Sequence, residues 1–462
     1  KMQMNGDKKI ENEKKIKIDI VVPPYSGHLN PVLGLIKDLI NDESYDICIH
    51  TGAKKKEFLN NLGIKCEVVL KDKPSVFENI VNTSKKTNMF IYYKQFRSNM
   101  QLVPELVKEL EEKFRERKPD VIIADFIAAP AGIIADKLGI PWISSMPTPF
   151  IVESKTTTPT YMGGWYPREG LIYKIRDAIG RFIIRNFKRG VCFLARKELK
   201  PLGFKLYDKN GEENIYSHYS MLGLGMKELE FRDDFPKQFI HAGPCCEGFD
   251  KNEYEFPDTK KYGKVIFLTS GTHVLWGKND LVEIAKELSG IYPDTCYIVS
   301  FGNYSKRNEP VEKPAENIFV YQYADYDTFL PKVDYIIHHG GTGILYNGIK
   351  FNKPSVIIPH DYDQFDYAVR AEIAEIGFSA SLKILKKGGV GVALFLLAAV
   401  ILVIIQDIVG PVLAKALGIN PLLGLAAGSI PLTGGHGTSG AFGPYLEDLG
   451  ATGATVVAVA SA

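Results

Sequence analysis

At 462 residues the chain is too long for a single hydrophobic core, and 45% hydrophobic with 24% charged residues fits a globular protein of two or three domains while excluding a disordered or collagen-like polymer. Lys and Arg number 56 against 54 Asp and Glu, so no net field marks the chain for DNA or RNA, and no nucleic-acid partner is expected. The six cysteines, Cys48, Cys66, Cys192, Cys245, Cys246 and Cys296, show no C-x-x-C spacing, which points to a reducing, cytoplasmic compartment without structural zinc.

Residues 1–15 are polar and lysine-rich and lack the apolar core of a signal peptide, so they read as a disordered leader. From Ile16 short apolar runs alternate with helical patterns. Ile16–Val22, Asp46–Thr51 and Ile64–Leu70 read as strands and Val121–Asp125 as a buried parallel one, an alternation that predicts a doubly wound α/β sheet over 16–240. The periodicity fades between Phe204 and Gly248, and the Gly243-Pro244 turn opens a polar stretch, which places a linker at 241–262. A second alternation follows, with strands at Lys264–Thr269, Tyr297–Phe301, Asn317–Tyr321, Tyr335–His338 and Ser355–Ile358, and predicts a second sheet over 263–386. Open α/β sheets bind ligands beyond the carboxyl ends of their strands, so the two domains should enclose a cleft.

Near Lys386 the composition shifts. Gly388–Ala462 contains a single lysine, Lys415, and is dominated by Gly, Ala, Leu and Val. Gly388–Ile405 is 18 residues without a charge, which meets the minimum for a membrane-crossing helix; a buried core helix is the alternative. Membrane association through 388–462 is the expectation.

Four clusters carry chemistry. Ser26-Gly27-His28-Leu29-Asn30-Pro31 follows the first strand where a helix should begin, and a loop there would project His28 into the cleft. An imidazole titrates near neutrality and can accept the proton of an attacking hydroxyl; a structural, helix-capping histidine is the competing reading. Asp125, at a strand end, can reach such a histidine, fix its tautomer and stabilise the imidazolium, or can serve as an N-cap. His338-His339-Gly340-Gly341-Thr342-Gly343 lies between a strand and a helix, where glycines let backbone amides approach a phosphate and His339 adds a donor, so a diphosphate could leave without a metal. Asp363 and Gln364 adjoin at the end of a buried strand and could bind vicinal hydroxyls of a hexose; a solvated turn is the plainer account.

In order and spacing these residues resemble the nucleotide-sugar glycosyltransferases of the GT-B fold, family 1, over roughly residues 16–380. The resemblance implies two Rossmann-like domains, acceptor-binding and donor-binding, facing across a cleft, and an inverting transfer from a UDP-sugar to a small acceptor, with no metal or other cofactor. It makes His28 the base and Asp125 its partner. Thr269-Ser270-Gly271-Thr272 resembles the loop that opens the donor domain, so Ser270, Gly271 and Thr272 join His339, Gly340, Gly341, Thr342, Asp363 and Gln364 as donor-binding residues. Eight residues after His339, where the family usually carries a glutamate holding both ribose hydroxyls, this chain has Asn347. An amide replaces only part of that bonding, which leaves the choice of nucleotide open. The stretch Thr158–Phe204 lies near the acceptor site in related enzymes, and its Tyr161 and Trp165, ahead of a basic amphipathic run, would suit a bulky apolar acceptor taken from a membrane surface; an ordinary helix with solvated arginines is the alternative. A nucleotide-sugar epimerase or hydrolase on the same fold is the alternative activity.

The tail resembles a different family. Gly428-Ser429-Ile430-Pro431-Leu432-Thr433-Gly434-Gly435-His436-Gly437-Thr438 and its apolar surroundings look like part of a sodium/glutamate symporter, in which a glycine-rich break between hydrophobic segments exposes backbone groups. About 75 residues cannot build a transporter. A chimera or a misjoined sequence is therefore the reading, with a natural membrane anchor as the alternative, and the donor domain is expected to be incomplete.

Overall fold

The computed structural model describes residues 14–81, 89–249, 252, 254–272, 277–361, 363–374, 377–379 and 401–461. Most of the expected leader, and most of the uncharged run Gly388–Ile405, lie outside them. The chain divides into two compact units, Lys1–Ser379 and Ala380–Ala462.

The first unit holds two seven-stranded sheets. One is built from β1 (Ile16–Val21), β2 (Tyr45–Thr51), β3 (Lys65–Val68), β4 (Val121–Asp125), β5 (Trp142–Met146), β6 (Ser220–Gly223) and β7 (Phe239–His241), all parallel, in the order β3-β2-β1-β4-β5-β6-β7. The other contains β8 (Lys264–Thr269), β9 (Thr295–Ser300), β10 (Glu312–Ala315), β11 (Ile318–Tyr321), β12 (Tyr335–His338), β13 (Ser355–Ile357) and β14 (Gly377–Ser379). Its order is β10-β11-β9-β8-β12-β13-β14, and only β10 runs antiparallel to its neighbour. The strands read from periodicity are present near their expected bounds. Strands β6 and β7 lie in the stretch where the periodicity fades, and β5, β10 and β14 are additional too.

Both faces of the first sheet are covered, as a parallel sheet requires. Ile18, Ile20 and Val22 pack with Leu29, Val32 and Leu33 of the helix Ser26–Leu35 on one side. Val21, Ile122 and Ala124 pack with Leu110 and Phe114 of the helix Met89–Arg117 and with Ile134 of the helix Ala129–Leu138 on the other. Each such buried side chain contributes about 1.5–3 kcal/mol, enough together to fix the strand positions against slippage. The register pairs Val21 with Ala124 in one sheet and Thr269 with His338 in the other. In each sheet the chain winds outward in both directions from these neighbours, so the loops after β1 and β4, and after β8 and β12, open at a switch point.

In the second unit a helix over 401–416 is followed by helices Pro421–Ala426, Ser429–Asp448 and Ala454–Ala460. They close around Ala426, Leu446, Ala451, Ala454 and Ala458, with Leu422, Leu425 and Val457 against them. The expected membrane-crossing helix Gly388–Ile405 lies mostly outside the described residues, and among the described residues no helix is long and apolar enough to cross a membrane. A second expectation for the tail is corrected. The segment Ser429–Thr438, read as a break between hydrophobic segments, is continuous helix within Ser429–Asp448, because a run of glycines and small residues still satisfies its backbone internally when neighbouring helices pack on it.

Candidate active site

His28 sits in the first turn of the helix Ser26–Leu35, not in a preceding loop. Its Nδ1 lies 3.0 Å from both carboxylate oxygens of Asp125 at the end of β4. The Asp125 side chain is fully buried, whereas that of His28 is 22% exposed, so the ring keeps limited access to solvent. Phe126 stacks on the imidazole at 5.3 Å between centroids, and Tyr25 meets its edge at 5.9 Å. Asp125 also accepts from the Ile127 amide at 3.1 Å, so it caps the turn and holds the histidine with the same carboxylate.

This pairing sets the ring's chemistry. With Nδ1–H donating to Asp125, the lone pair falls on Nε2. Burial disfavours the imidazolium, but the charge and hydrogen bond of Asp125, with a further contribution from Asp363, outweigh it and raise the His28 pKa above its ordinary value. The group is a stronger base than a free imidazole.

The donor-side loops converge on His339. A β-carbon on Gly271 would lie 2.6 Å from its ring, and one on Gly341 would lie 2.3 Å from its Nε2, so any side chain at either place would displace the ring. The Gly340 amide donates to His338 Nδ1 at 3.0 Å. His338 is buried, and desolvation together with the neighbouring His339 depresses its pKa to about 3, so it is a neutral brace for the turn. Gly341 and Thr342 open the helix Thr342–Lys350, whose first amides face outward from the turn. Ser270 is buried and its Oγ has no hydrogen-bond partner among the described residues, while Thr272 is half-buried. Asn347 is buried too, and its Nδ2 donates to the Gly343 carbonyl at 2.8 Å, back onto its own helix.

Asp363 ties the two sheets together. It accepts from Thr148 Oγ1, just beyond β5, at 3.0 Å; burial raises its pKa, against the opposing effects of that hydrogen bond and of His28. The Gln364 side-chain oxygen accepts from the His360 and Asp361 amides at 2.8 and 3.1 Å, which leaves its NH₂ group for any ligand. Neither Thr148 nor this bracing was legible beforehand. Thr148 carries no motif of its own and gains meaning only from the register of β5.

Tyr161 and Trp165 part company. The Tyr161 amide donates to Asp366 at 2.9 Å, and its side chain lines a cavity of about 380 Å³ shared with Phe150, Phe182, Tyr216 and Met221. Trp165 lies outside that lining, packed where a Gly180 β-carbon would be 2.8 Å from its ring and stacked under Arg176 at 5.0 Å. Neither His28 nor Phe126 lines the cavity, but Phe126 links its wall to the histidine. Val152, Tyr216 and Met221 belong to the same buried cluster as Phe126, whose other contact is His28. A buried pair that sequence patterns do not reveal, Arg370 and Glu230 at 3.7 Å, closes the donor-side edge; burial pushes the Glu230 carboxyl up to about 7, and Arg370 and Arg232 oppose this only in part.

Comparison with known proteins also divides the chain, but earlier than the fold does: the match to the second family begins at 366, inside the first unit, which ends at Ser379. Residues 366–462 match the family model "Sodium/glutamate symporter". The sodium/glutamate symporter of Escherichia coli is 43% identical over 104 residues, 21% of this chain; the chain spans only 26% of that protein. The UDP-glucosyltransferase A1 of Starmerella bombicola is 25% identical over 378 residues, which cover 76% of this chain and 79% of that one. The crystal structure of the kitacinnamycin glycotransferase superposes with a TM-score of 0.60 at 22% identity, over 80% of this chain and 87% of the other. Two doubly wound sheets joined by Thr148 and Asp363 and this superposition give one conclusion: the larger part of the chain has the GT-B glycosyltransferase fold, and it continues into sequence similar to a sodium/glutamate symporter.

Proposed function

We propose that the first unit transfers a hexose from a UDP-sugar to a hydroxyl of a small apolar acceptor in a single inverting displacement. The observation that carries this reading is the His28–Asp125 pair at 3.0 Å, held at one switch point, with Asp363 of the other sheet close enough to add to its charge balance. His28 Nε2 takes the acceptor proton, and Asp125 balances the imidazolium that forms. The acceptor oxygen attacks the anomeric carbon while the bond to the diphosphate breaks and its electron pair stays on the β-phosphate oxygen. That charge is received by His339 and by the amides of Gly341 and Thr342, the Gly340 amide being already given to His338 Nδ1, so the scheme needs no metal.

Ser270, Gly271, Thr272 and Asn347 complete the nucleotide side of the site. Asp363 and the Gln364 NH₂ group face sugar hydroxyls. The cavity beside Tyr161 takes the acceptor, and its aromatic lining selects apolar molecules. Residues 380–462 have no part in the scheme.

The test is a screen of UDP- and other nucleotide sugars against alcohol and phenol acceptors, with the anomeric configuration of any product read by NMR. An α-linked donor should give a β-linked product only when acceptor is present. Retention of configuration, or turnover of the donor that ignores the acceptor, would replace this reading with a double displacement or with an epimerase or hydrolase.

A further inference from the structure

The helix Leu171–Leu194 presents its polar side to the protein and its apolar side to solvent. Asp177 is buried and accepts from Thr158 Oγ1 at 2.8 Å; Arg181 donates to the Thr157 carbonyl at 2.6 Å and Arg185 to the Gly211 carbonyl at 2.9 Å. Lys188 pairs with Glu153 and Glu213. These partners fix the roll of the helix, because turning it over would strip each charge of its bond. The outward face then carries Leu171, Ile175, Ile179, Phe182, Phe187 and Phe193 at helical spacing, all exposed, with Leu171 at 75% and Phe182 at 68%. Single exposed apolar side chains are ordinary on a protein surface, but a stripe running along about 36 Å of helix is not.

The rim of the stripe is of one sign. Lys174, Arg189, Arg196, Lys197 and Lys200 are exposed, whereas the two acidic residues of 171–200 are not: Asp177 is buried, and Glu198 is half-buried beside Arg97 at 3.0 Å. We propose that this helix is a peripheral membrane-binding surface that lies in the headgroup layer of a bilayer containing anionic lipid. Apolar burial into the acyl boundary and attraction of the cationic rim to anionic headgroups act together there. A second copy of the chain fits less well, because a two-fold contact would set this cationic rim against itself. Phe182, Arg185 and Lys188 also line the cavity beside Tyr161, so on the transferase reading an acceptor dissolved in the bilayer would reach the site without crossing water.

The membrane contact is tested with no nucleotide sugar or acceptor present, which separates its failure from that of the transferase reading. The full chain is sedimented with phosphatidylcholine vesicles with and without phosphatidylglycerol. Binding should require the anionic lipid and weaken with salt. Replacing Ile175, Ile179 and Phe187 together by Glu should lower the partition coefficient on the order of 100-fold, and the Ser series at the same positions should lower it without adding charge. Reversing Lys174, Lys197 and Lys200 to Glu should abolish the preference for anionic vesicles. The proposal fails if the wild-type chain stays in the supernatant, or if the Glu and Ser series bind as tightly as the wild type. It fails also if the wild type is a dimer in solution that the Glu series converts to monomer, since a second copy would then cover the stripe.

Discussion

Gly271 and Gly341 in the first unit, and Gly410 and Gly424 in the second, are all positions where a β-carbon would collide, but with different neighbours. At the first two it would strike the His339 imidazole, at 2.6 and 2.3 Å; at the second two it would strike the facing backbone, 2.4 Å from the Gly424 carbonyl oxygen and 2.2 Å from the Gly410 carbonyl carbon. In the first unit glycine clears room around a side chain at a sheet switch point. In the second it lets two helices touch main chain to main chain. Glycine content alone does not separate a phosphate-binding turn from a helix crossing, whereas the flanking residues do: a strand and a histidine in one case, apolar helix in the other.

The contrast is sharpest if the chemistry depends on one group of the first unit. His28→Ala should lower kcat by roughly 10²- to 10⁴-fold while leaving nucleotide affinity nearly intact, as expected for loss of a positioned base. The neutral ring is the active form, so kcat/KM should rise with pH through an apparent pKa above 6.5. Asp125→Asn removes the influence that raises that pKa and leaves burial, which lowers it; the midpoint should move down and the rate should fall. Wild-type turnover in the alanine variant would make His28 a structural residue.

On the donor side, Gly341→Val would drive the His339 ring from its place, and His339→Ala would delete it. Both should weaken binding of the nucleoside diphosphate by about 10- to 100-fold, the scale of a hydrogen bond to a charged group, and both should also slow turnover, since the diphosphate is charged in the ground state as well as in the transition state. Isothermal titration with UDP reads the first effect. If UDP affinity is unchanged in both variants, the turn faces something else.

Much of this site was legible because its residues announce themselves locally. His28, Asp125 and His339 follow apolar runs whose register the hydrophobic pattern fixes, so the meeting of His28 with Asp125 at one switch point, and the place of His339 at the other, follow from strand order. Strand β5, Trp-Ile-Ser-Ser-Met, was not legible: its Ser144 and Ser145 are buried, and Ser144 Oγ is satisfied by the Ser217 amide at 2.8 Å, a partner 73 residues away. Strands β6 and β7 are short and take their identity from pairing with β5, which is why their stretch looked unpatterned. The inverted helix Leu171–Leu194 shows its period in the sequence, but not which face turns inward, because distant acceptors such as the Gly211 carbonyl decide that. In the tail, uncharged composition suggested a membrane span, and composition carries no information on how small residues shorten the distance between helices.

The second half of the comparison is weakened by overpacking the helix crossing. Gly424→Leu should destabilise the helices of 401–461 by about 1–3 kcal/mol, visible as faster proteolysis there, with UDP affinity unchanged. A loss of UDP binding in this variant would mean that the two units are not separable in function.

The smallest expected effect concerns Asn347, where the first unit departs from the family it resembles. Its Nδ2 is already committed to the Gly343 carbonyl, one helical turn back, so only Oδ1 is left to meet a ribose hydroxyl. A neutral hydrogen bond of that kind contributes about 0.5–1.5 kcal/mol, and Asn347→Ala should therefore weaken UDP binding by no more than about tenfold. Asn347→Glu makes the opposite change. A carboxylate cannot donate to Gly343, so both of its oxygens are available to accept from the two ribose hydroxyls, and a hydrogen bond to a charged group exceeds a neutral one by about 1 kcal/mol. Glutamate should thus tighten UDP by about fivefold and leave thymidine diphosphate, whose sugar lacks the 2′-hydroxyl, less affected. Titration of both nucleotides against both variants decides the matter. If glutamate weakens UDP, the helix Thr342–Lys350 does not present this position to a ribose, and the donor half of the site has to be rebuilt around Ser270 and Asp363 instead.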